Sequence, residues 1–379
     1  MRSLTVLGQI RREGLCDGVI YSDWRGELDA FPEVRSALNN CGAVVIELPP
    51  MRHRGAGNVL TQIRSLSAAM ERLSPMDNVL KTRPDLWMSP QLTKRVLRRG
   101  VEGVDFNIRS DVPQVFHNKI WVPWFHTARC LHLSDECFHG RVADLWRLQE
   151  VDRRFDGEFG PPLSFVHTRR FAPPLMRVFP ILDDYFQYYV STRIMWPHSG
   201  RDLTSRFLTA MAEQIPNGRY RIMGSIVSEL LTTATFRRIL AVYYSLLRWY
   251  FVIDAGDAVT DFRIRRRPRP NEMVWPHEFE LNLVRGGDVC VRSYDASWLE
   301  RVLDGAPPGD AGADVAEWMQ RFDAEPALAT ETADRVDTEH DRSAIDATVR
   351  RHVATFWAPI LRERTSLIAS THSLRGTVR

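Results

Sequence analysis

The sequence of 379 residues contains very little lysine, since Lys81, Lys94 and Lys119 are the only lysines among 50 basic residues. We attribute this preference for arginine to the coding bias of a GC-rich genome. Arginine also binds phosphate and carboxylate groups with two parallel hydrogen bonds, which lysine cannot do. Acidic residues almost balance the basic ones, which leaves a formal net charge of +3. Because nucleic-acid binding depends on many basic contacts, so small a net charge gives no support for nucleic acid as a partner.

Cysteine is also scarce. The five cysteines are widely spread, are odd in number and show no spacing typical of a disulfide framework. This pattern predicts reduced thiols in a cytoplasm-like compartment.

Long uninterrupted apolar runs are missing as well. The apolar run at the amino terminus is too short for a signal peptide. The most apolar stretch, residues 226–253, includes Glu229, Arg237, Arg238 and Arg248, and a membrane-spanning helix would not carry four such charges. We therefore expect a cytoplasmic protein, and peripheral association with the inner face of a membrane stays open.

Short apolar runs bounded by Gly and Pro are present, and they alternate with helical patterns in the first ninety residues. Residues 17–22, 43–48 and 78–82 are predicted strands. Residues 3–12, 32–38 and 58–73 are predicted helices, the last with Asn58 as its N-cap. This alternation predicts the α/β class, with an open, mostly parallel sheet flanked by helices.

The whole chain divides by composition into four predicted parts. Residues 1–200 form the core, which includes an aromatic-rich active-site surface with short strands over residues 116–146 and a helix over residues 142–150. Residues 201–300 form a mainly helical appendage packed on that core. The acidic, Pro/Gly-containing residues 301–343 are predicted to form a flexible linker. A helix and tail follow over residues 344–379.

Two acidic residues follow predicted strands. Asp85 comes after the strand at 78–82, and Asp135 follows a short apolar run. Ligands of open parallel sheets bind beyond the carboxyl ends of the strands. There a carboxylate such as Asp85 can hold a divalent cation, and Lys81 and Arg83 can neutralise a diphosphate. Judged on these residues alone, Asp85 is better explained as a turn or cap residue.

Four blocks of sequence follow one another in the first half of the chain: Ile20-Tyr21-Ser22-Asp23-Trp24-Arg25-Gly26-Glu27, Gly57-Asn58-Val59-Leu60-Thr61-Gln62-Ile63-Arg64-Ser65, Val79-Leu80-Lys81-Thr82-Arg83-Pro84-Asp85-Leu86 and Ser134-Asp135-Glu136-Cys137-Phe138-His139-Gly140. In their order and spacing, these blocks resemble the WavE lipopolysaccharide-synthesis family of glycosyltransferases. The resemblance covers about residues 1–150. It favours the functional interpretation of Asp85 over the turn interpretation.

The resemblance implies a fold similar to that of GT-A transferases, a nucleotide-sugar donor, and a cell-surface glycan or lipid-linked glycan acceptor in polysaccharide biosynthesis. It also implies a divalent cation, Mn²⁺ or Mg²⁺, bound at Asp85. The residues implied for donor binding are Asn58, Gln62, Arg64, Lys81, Arg83 and Asp85. Asp135, with Glu136 beside it, stands where acceptor binding or general-base catalysis is expected.

The chain departs from the family pattern in three places. Its first predicted element is the helix at residues 3–12, whereas the family begins with a strand and a Gly-containing loop. Asp23 and Glu136 replace the family's Thr and Gln, and the part after about residue 200 has no counterpart. These departures leave open a non-catalytic relative that binds a carbohydrate or a protein.

Three weaker signals complete the sequence analysis. Cys130, His132, Cys137 and His139 suggest a zinc enzyme, but their spacing is not a usual zinc pattern. His198 suggests a metal ligand contributed from a later part of the chain, but a surface or capping histidine is the commoner case. The arginine-rich residues 263–270 suggest attraction to anionic lipid, and a solvated loop is the simpler interpretation.

Overall fold

The computed structural model describes residues 2–50, 59–83, 86–98, 106–123, 131, 133, 137–149, 171, 173–182, 234–253, 262–264, 283–285, 288–290 and 310–334. Its helices are α1 (Arg2–Arg12), α2 (Pro32–Asn40), α3 (Val59–Met70), α4 (Pro90–Leu97), α5 (Val142–Leu148), α6 (Pro173–Met176), α7 (Ala234–Tyr250), α8 (Asp310–Ala324) and α9 (Ala327–Asp334). Its strands are β1 (Ile20–Trp24), β2 (Val44–Leu48), β3 (Asn78–Lys81), β4 (Leu86–Met88), β5 (Ile120–Val122), β6 (Phe138–Arg141), β7 (Phe251–Ile253), β8 (Phe262–Ile264), β9 (Leu283–Arg285) and β10 (Asp288–Cys290). The protein is therefore of the mixed α/β class, as predicted.

The first three predicted strands and the four helices α1, α2, α3 and α5 are all present, within a few residues of their predicted limits. Strands β1 and β2 pair in parallel, from Ile20 opposite Val44 to Trp24 opposite Leu48. Helix α2 connects them. Pro32 begins that helix, where a missing N–H costs nothing.

Helix α2 ends at a glycine that the backbone requires. Gly42 follows the helix with a φ of 61°, the left-handed conformation that commonly closes a helix and that favours glycine. The Arg11 guanidinium donates hydrogen bonds to the carbonyl groups of Cys41 and Gly42, the latter at 2.6 Å. This contact ties α1 to the start of β2.

A four-stranded sheet, in the order β3-β6-β5-β7, lies at the centre of the described structure. Strand β6 runs antiparallel to both β3 and β5, while β5 and β7 are parallel. Ile120, Trp121 and Val122 of β5 are all buried. Strand β5 is therefore interior, and both it and β6 lie within residues 116–146, where short strands are predicted.

The strand directions correct the prediction of a mostly parallel sheet. Among the described strands, two pairs are parallel and four are antiparallel. The cause is β6, which opposes both of its neighbours, together with two separate antiparallel pairs, β4 with β8 and β9 with β10. The hydrophobic pattern of short buried strands identifies a strand but not its direction.

Residues 234–253 belong to the predicted helical appendage, and they enter the core sheet. Helix α7 is buried on nearly all sides from Ile239 to Tyr250, which is typical of a core helix. It continues directly into β7, whose residues pair with β5. Strand β8 likewise pairs with β4. The region therefore contributes strands as well as a helix, and residues 202–233 lie outside the described residues. No helix among the described residues is long and apolar enough to span a membrane.

Residues 310–334 form helices α8 and α9, so the prediction of a flexible linker is wrong for this part of residues 301–343. Val315, Trp318, Met319 and Phe322 recur at helical spacing, and Phe322 is fully buried. Alanine, the best helix former, is frequent here. The acidic composition concealed an amphipathic helix. The predicted helix within residues 344–379 lies outside the described residues.

The carboxylate of Asp323 joins α8 to α7 and to the loop at residues 106–116. It accepts a hydrogen bond from the indole Nε1 of Trp249 at 3.1 Å and pairs with Arg248 at 2.5 Å. Arg109 donates to the Asp323 carbonyl at 2.7 Å. Because Trp249 is only 2% exposed, loss of its acceptor would leave a buried donor unsatisfied.

We predict that Asp323→Ala lowers the free energy of unfolding by about 1–3 kcal/mol, the cost of an unsatisfied buried donor. Asp323→Asn keeps an acceptor for Trp249 and should lose less. Denaturant unfolding measures both variants against Glu317→Ala, an exposed change on the same helix that should stay within about 0.5 kcal/mol of the wild type. Equal losses for Asp323→Ala and Glu317→Ala would contradict the role of Asp323.

Candidate functional site

The pairing of β3 with β6 determines which residues of the predicted site meet. Lys81 lies opposite Phe138, and Leu80 lies opposite His139. Since the two strands are antiparallel, the carboxyl end of β3 and the amino end of β6 lie at the same edge of the sheet. Two of the four sequence blocks therefore adjoin each other at this edge.

Gln62 and Lys81, both predicted to bind the donor, contact each other. The Lys81 ammonium Nζ lies 3.5 Å from the Gln62 carbonyl Oε1, a long polar contact. Ser65, one turn further along α3, donates a hydrogen bond to the backbone carbonyl of Ser22 in β1 at 3.2 Å. Helix α3 thus links the end of β3 to the parallel pair β1–β2.

Arg64 does not share the helix face from which Gln62 contacts Lys81. Its side chain is exposed, and two residues along an α-helix correspond to a rotation of about 200° away from Gln62. The prediction that Gln62 and Arg64 face one site is therefore not supported by the helix geometry. Arg83 lies just beyond β3, half-buried, where its carbonyl accepts a hydrogen bond from the Leu86 N–H at 3.1 Å.

The acidic residues of the predicted site lie outside the described residues. These residues are Asp85, Asp135 and Glu136, and the same holds for Asn58, Cys130, His132 and His198. The cation at Asp85 and the zinc alternative consequently remain predictions. Within the described ranges, no group of three or more His, Cys, Asp or Glu side chains could hold a metal ion.

Cys137, which directly precedes β6, and His139 within β6 are both buried. The Cys137 thiol lies 3.3 Å from the Met88 sulfur, within a cluster that also contains Leu86, Leu92, Val96 and Trp121. Burial among apolar groups is the ordinary environment of a structural cysteine. Cys137 therefore serves as a packing residue under the edge where β3 and β6 meet.

Asp144 is a structural carboxylate for which the sequence analysis assigned no role. It is fully buried in the first turn of α5, and its two oxygens accept hydrogen bonds from the backbone N–H groups of His117 at 2.7 Å and Asn118 at 3.1 Å. These bonds hold the chain that leads into β5 beside β6. An Asp in a first helical turn is visible in the sequence, but its partners 26 and 27 residues away are not.

Asp23, which stands where the family has Thr, is occupied by local contacts. Its carboxylate accepts hydrogen bonds from the Tyr21 hydroxyl at 3.0 Å and from the Trp24 N–H at 2.9 Å. Burial raises the pKa of Tyr21, and the neighbouring Asp23 carboxylate raises it further. Burial likewise raises the pKa of Tyr250, whose hydroxyl donates to the Pro113 carbonyl at 2.7 Å.

Comparison of the chain with protein-family models, with curated proteins and with solved structures gives no match.

We predict an alkaline loss of stability to which Tyr21 contributes. An unfolded tyrosine ionises near pH 10, whereas folded Tyr21 keeps its proton to higher pH, so the folded state binds more protons there. Its contribution is complete below about pH 10 and is lost as pH rises further. Tyr21→Phe should lower stability at neutral pH by about 1 kcal/mol, because the hydrogen bond to Asp23 is lost.

The same substitution should also make the decline in unfolding free energy between about pH 10 and 12 shallower. Urea unfolding at several pH values measures this slope, and Tyr250→Phe should flatten it in the same way. An unchanged alkaline slope in both variants would contradict the assignment.

Proposed function

We propose that the protein is a glycosyltransferase that transfers a sugar from a nucleotide-sugar donor to a cell-surface glycan or lipid-linked glycan precursor. The observation that carries the proposal is the meeting of the two strand ends, with Lys81 opposite Phe138 and Gln62 in contact with Lys81. Residues from three of the four resembling blocks, including the one that contains Gln62, are thereby adjacent. A GT-A-like arrangement of the core is part of the same proposal.

The described groups at this edge suit a diphosphate. Lys81 and Arg83 each carry a positive charge, and both are half-buried, so solvent screens them less than it screens fully exposed charges. A nucleoside diphosphate gains negative charge as it leaves the sugar. Fixed cations beside that charge stabilise the transition state more than the ground state. The Gln62 amide adds a polar group from α3.

In the sequence, the predicted acidic residues are within two positions of described residues. Glu136 precedes Cys137 directly, and Asp135 is one residue further away. In the proposal, one of these carboxylates accepts the proton from the acceptor hydroxyl as that oxygen attacks the anomeric carbon. In the sequence, Asp85 directly precedes Leu86, the first residue of β4.

The proposed metal ion depends on Asp85, because the described neighbours Lys81, Arg83 and Gln62 offer two cations and an amide, which fit phosphate better than a divalent cation. If Asp85 holds Mn²⁺ or Mg²⁺, that ion would supply additional neutralisation of the diphosphate. The positions of Lys81 and Arg83 do not depend on it.

We predict that nucleotide binding requires Lys81. In a thermal-shift screen with UDP-, GDP-, CMP- and dTDP-sugars, at least one donor should stabilise the wild type. Lys81→Ala should weaken that binding by about tenfold to a hundredfold, because a charged hydrogen bond to phosphate contributes about 1.5–3 kcal/mol. Lys94→Ala is the matched control. Lys94 lies on helix α4, and its ammonium forms an ion pair with Glu13 at 2.6 Å instead of contacting Gln62. The control should bind like the wild type.

Donor hydrolysis, measured with Mn²⁺ and with a chelator, distinguishes the alternatives. Hydrolysis that is lost in Asp85→Ala and on chelation supports a metal-assisted transferase. Nucleotide binding without hydrolysis under any condition supports a non-catalytic relative. The transferase proposal fails if no donor stabilises the wild type, or if Asp85→Ala responds to donor and Mn²⁺ as the wild type does.

A further inference from the structure

We infer that Phe138 is a positioning residue that holds the Lys81 ammonium in place for a donor diphosphate through a cation–π contact. The inference rests on the proposed function and identifies a residue that this function does not itself require. Lys81 Nζ lies 5.3 Å from the centroid of the Phe138 ring, within the distance of about 6 Å at which the ring quadrupole attracts a cation.

The ring is held rigidly by the strand pairing and by a second aromatic residue. Phe138 is fully buried and lies directly opposite Lys81 in the β3–β6 register, so both side chains project from the same face of the sheet. The Phe171 ring meets it edge to face, with centroids 6.2 Å apart and an interplanar angle of 82°. Edge-to-face packing is a preferred geometry of aromatic pairs.

A contact that orders the Lys81 side chain before the ligand binds lowers the entropy cost of binding. A lysine side chain is a flexible four-carbon stem that ends in a strongly hydrated ammonium group. Ordering this side chain when a ligand binds reduces the affinity. In this protein Nζ lies near both the Phe138 ring and the Gln62 Oε1. An ammonium already placed at the strand edge binds phosphate without that ordering cost.

Phe138 also packs the core, so a test must separate its electrostatic role from its volume. Replacement of Phe138 by phenylalanines with one, two and three ring fluorines reduces the negative potential of the ring face while its size changes little. The same series at Phe171 is the matched control, because Phe171 is a buried ring in contact with Phe138. Calorimetric titration with UDP, GDP, dTDP and CMP gives the affinity of each protein, and thermal unfolding gives its stability.

Stepwise fluorination of Phe138 should weaken nucleotide binding progressively, by about two- to thirtyfold for the trifluoro ring, with little change in unfolding temperature. Fluorination of Phe171 should leave the affinity unchanged. If the wild type binds a nucleotide and fluorination of Phe138 leaves its affinity unchanged, the inference is overturned and the proposed function stands. Equal losses in the two series also overturn it, because they indicate packing alone. If no nucleotide binds to the wild type, the proposed function fails and this inference fails with it.

Discussion

The described structure depends on one row of side chains across the central sheet. Leu80, His139, Trp121 and Val252 lie opposite one another on strands β3, β6, β5 and β7. They share the face that covers the apolar cluster around Met88. A shift of the register by one residue would move a whole strand's side chains to the opposite face. The same register that buries His139 and packs the half-buried Leu80 against the cluster therefore turns Lys81 towards Phe138, so the core and the candidate site are specified together.

Contacts between distant parts of the chain keep this row in register. Strand β7, the last strand of this sheet, follows α7 without a break, so burial of α7 fixes the position of β7. The Asp144 carboxylate binds two N–H groups just before β5, and Asp323 ties α7 to α8. None of these contacts involves Gln62, Lys81 or Arg83. They act on the site through the positions of the strands, and a change in them should affect folding first.

The sequence predicts the elements with strong local patterns and misses those that depend on distant partners. Strands β1, β2 and β3 and their helices have apolar runs, caps and prolines that identify them. Strand β5 lies where short strands are predicted, although its limits are not. Strand β7 was predicted as part of a helical region, because its pairing with β5 is long-range. The composition of residues 310–334 suggested a linker, although the helical spacing of Val315 and Phe322 was present. At the site, the sequence predicted that Gln62 and Arg64 face the same place as Lys81; Gln62 contacts Lys81, whereas the helical rotation does not support the position of Arg64.

The central claim is that the edge formed by β3 and β6 binds a nucleoside diphosphate through Lys81. With only three lysines in the chain, NMR of protein labelled with ¹³C at the lysine ε-carbons can report on each one, and Lys81→Arg identifies the Lys81 signal. Titration with UDP, GDP, dTDP and CMP in turn should shift the Lys81 signal with at least one of them and leave that of Lys94 in place. A Lys81 signal that stays unmoved by every nucleotide, or a Lys94 signal that moves as much, would contradict the account.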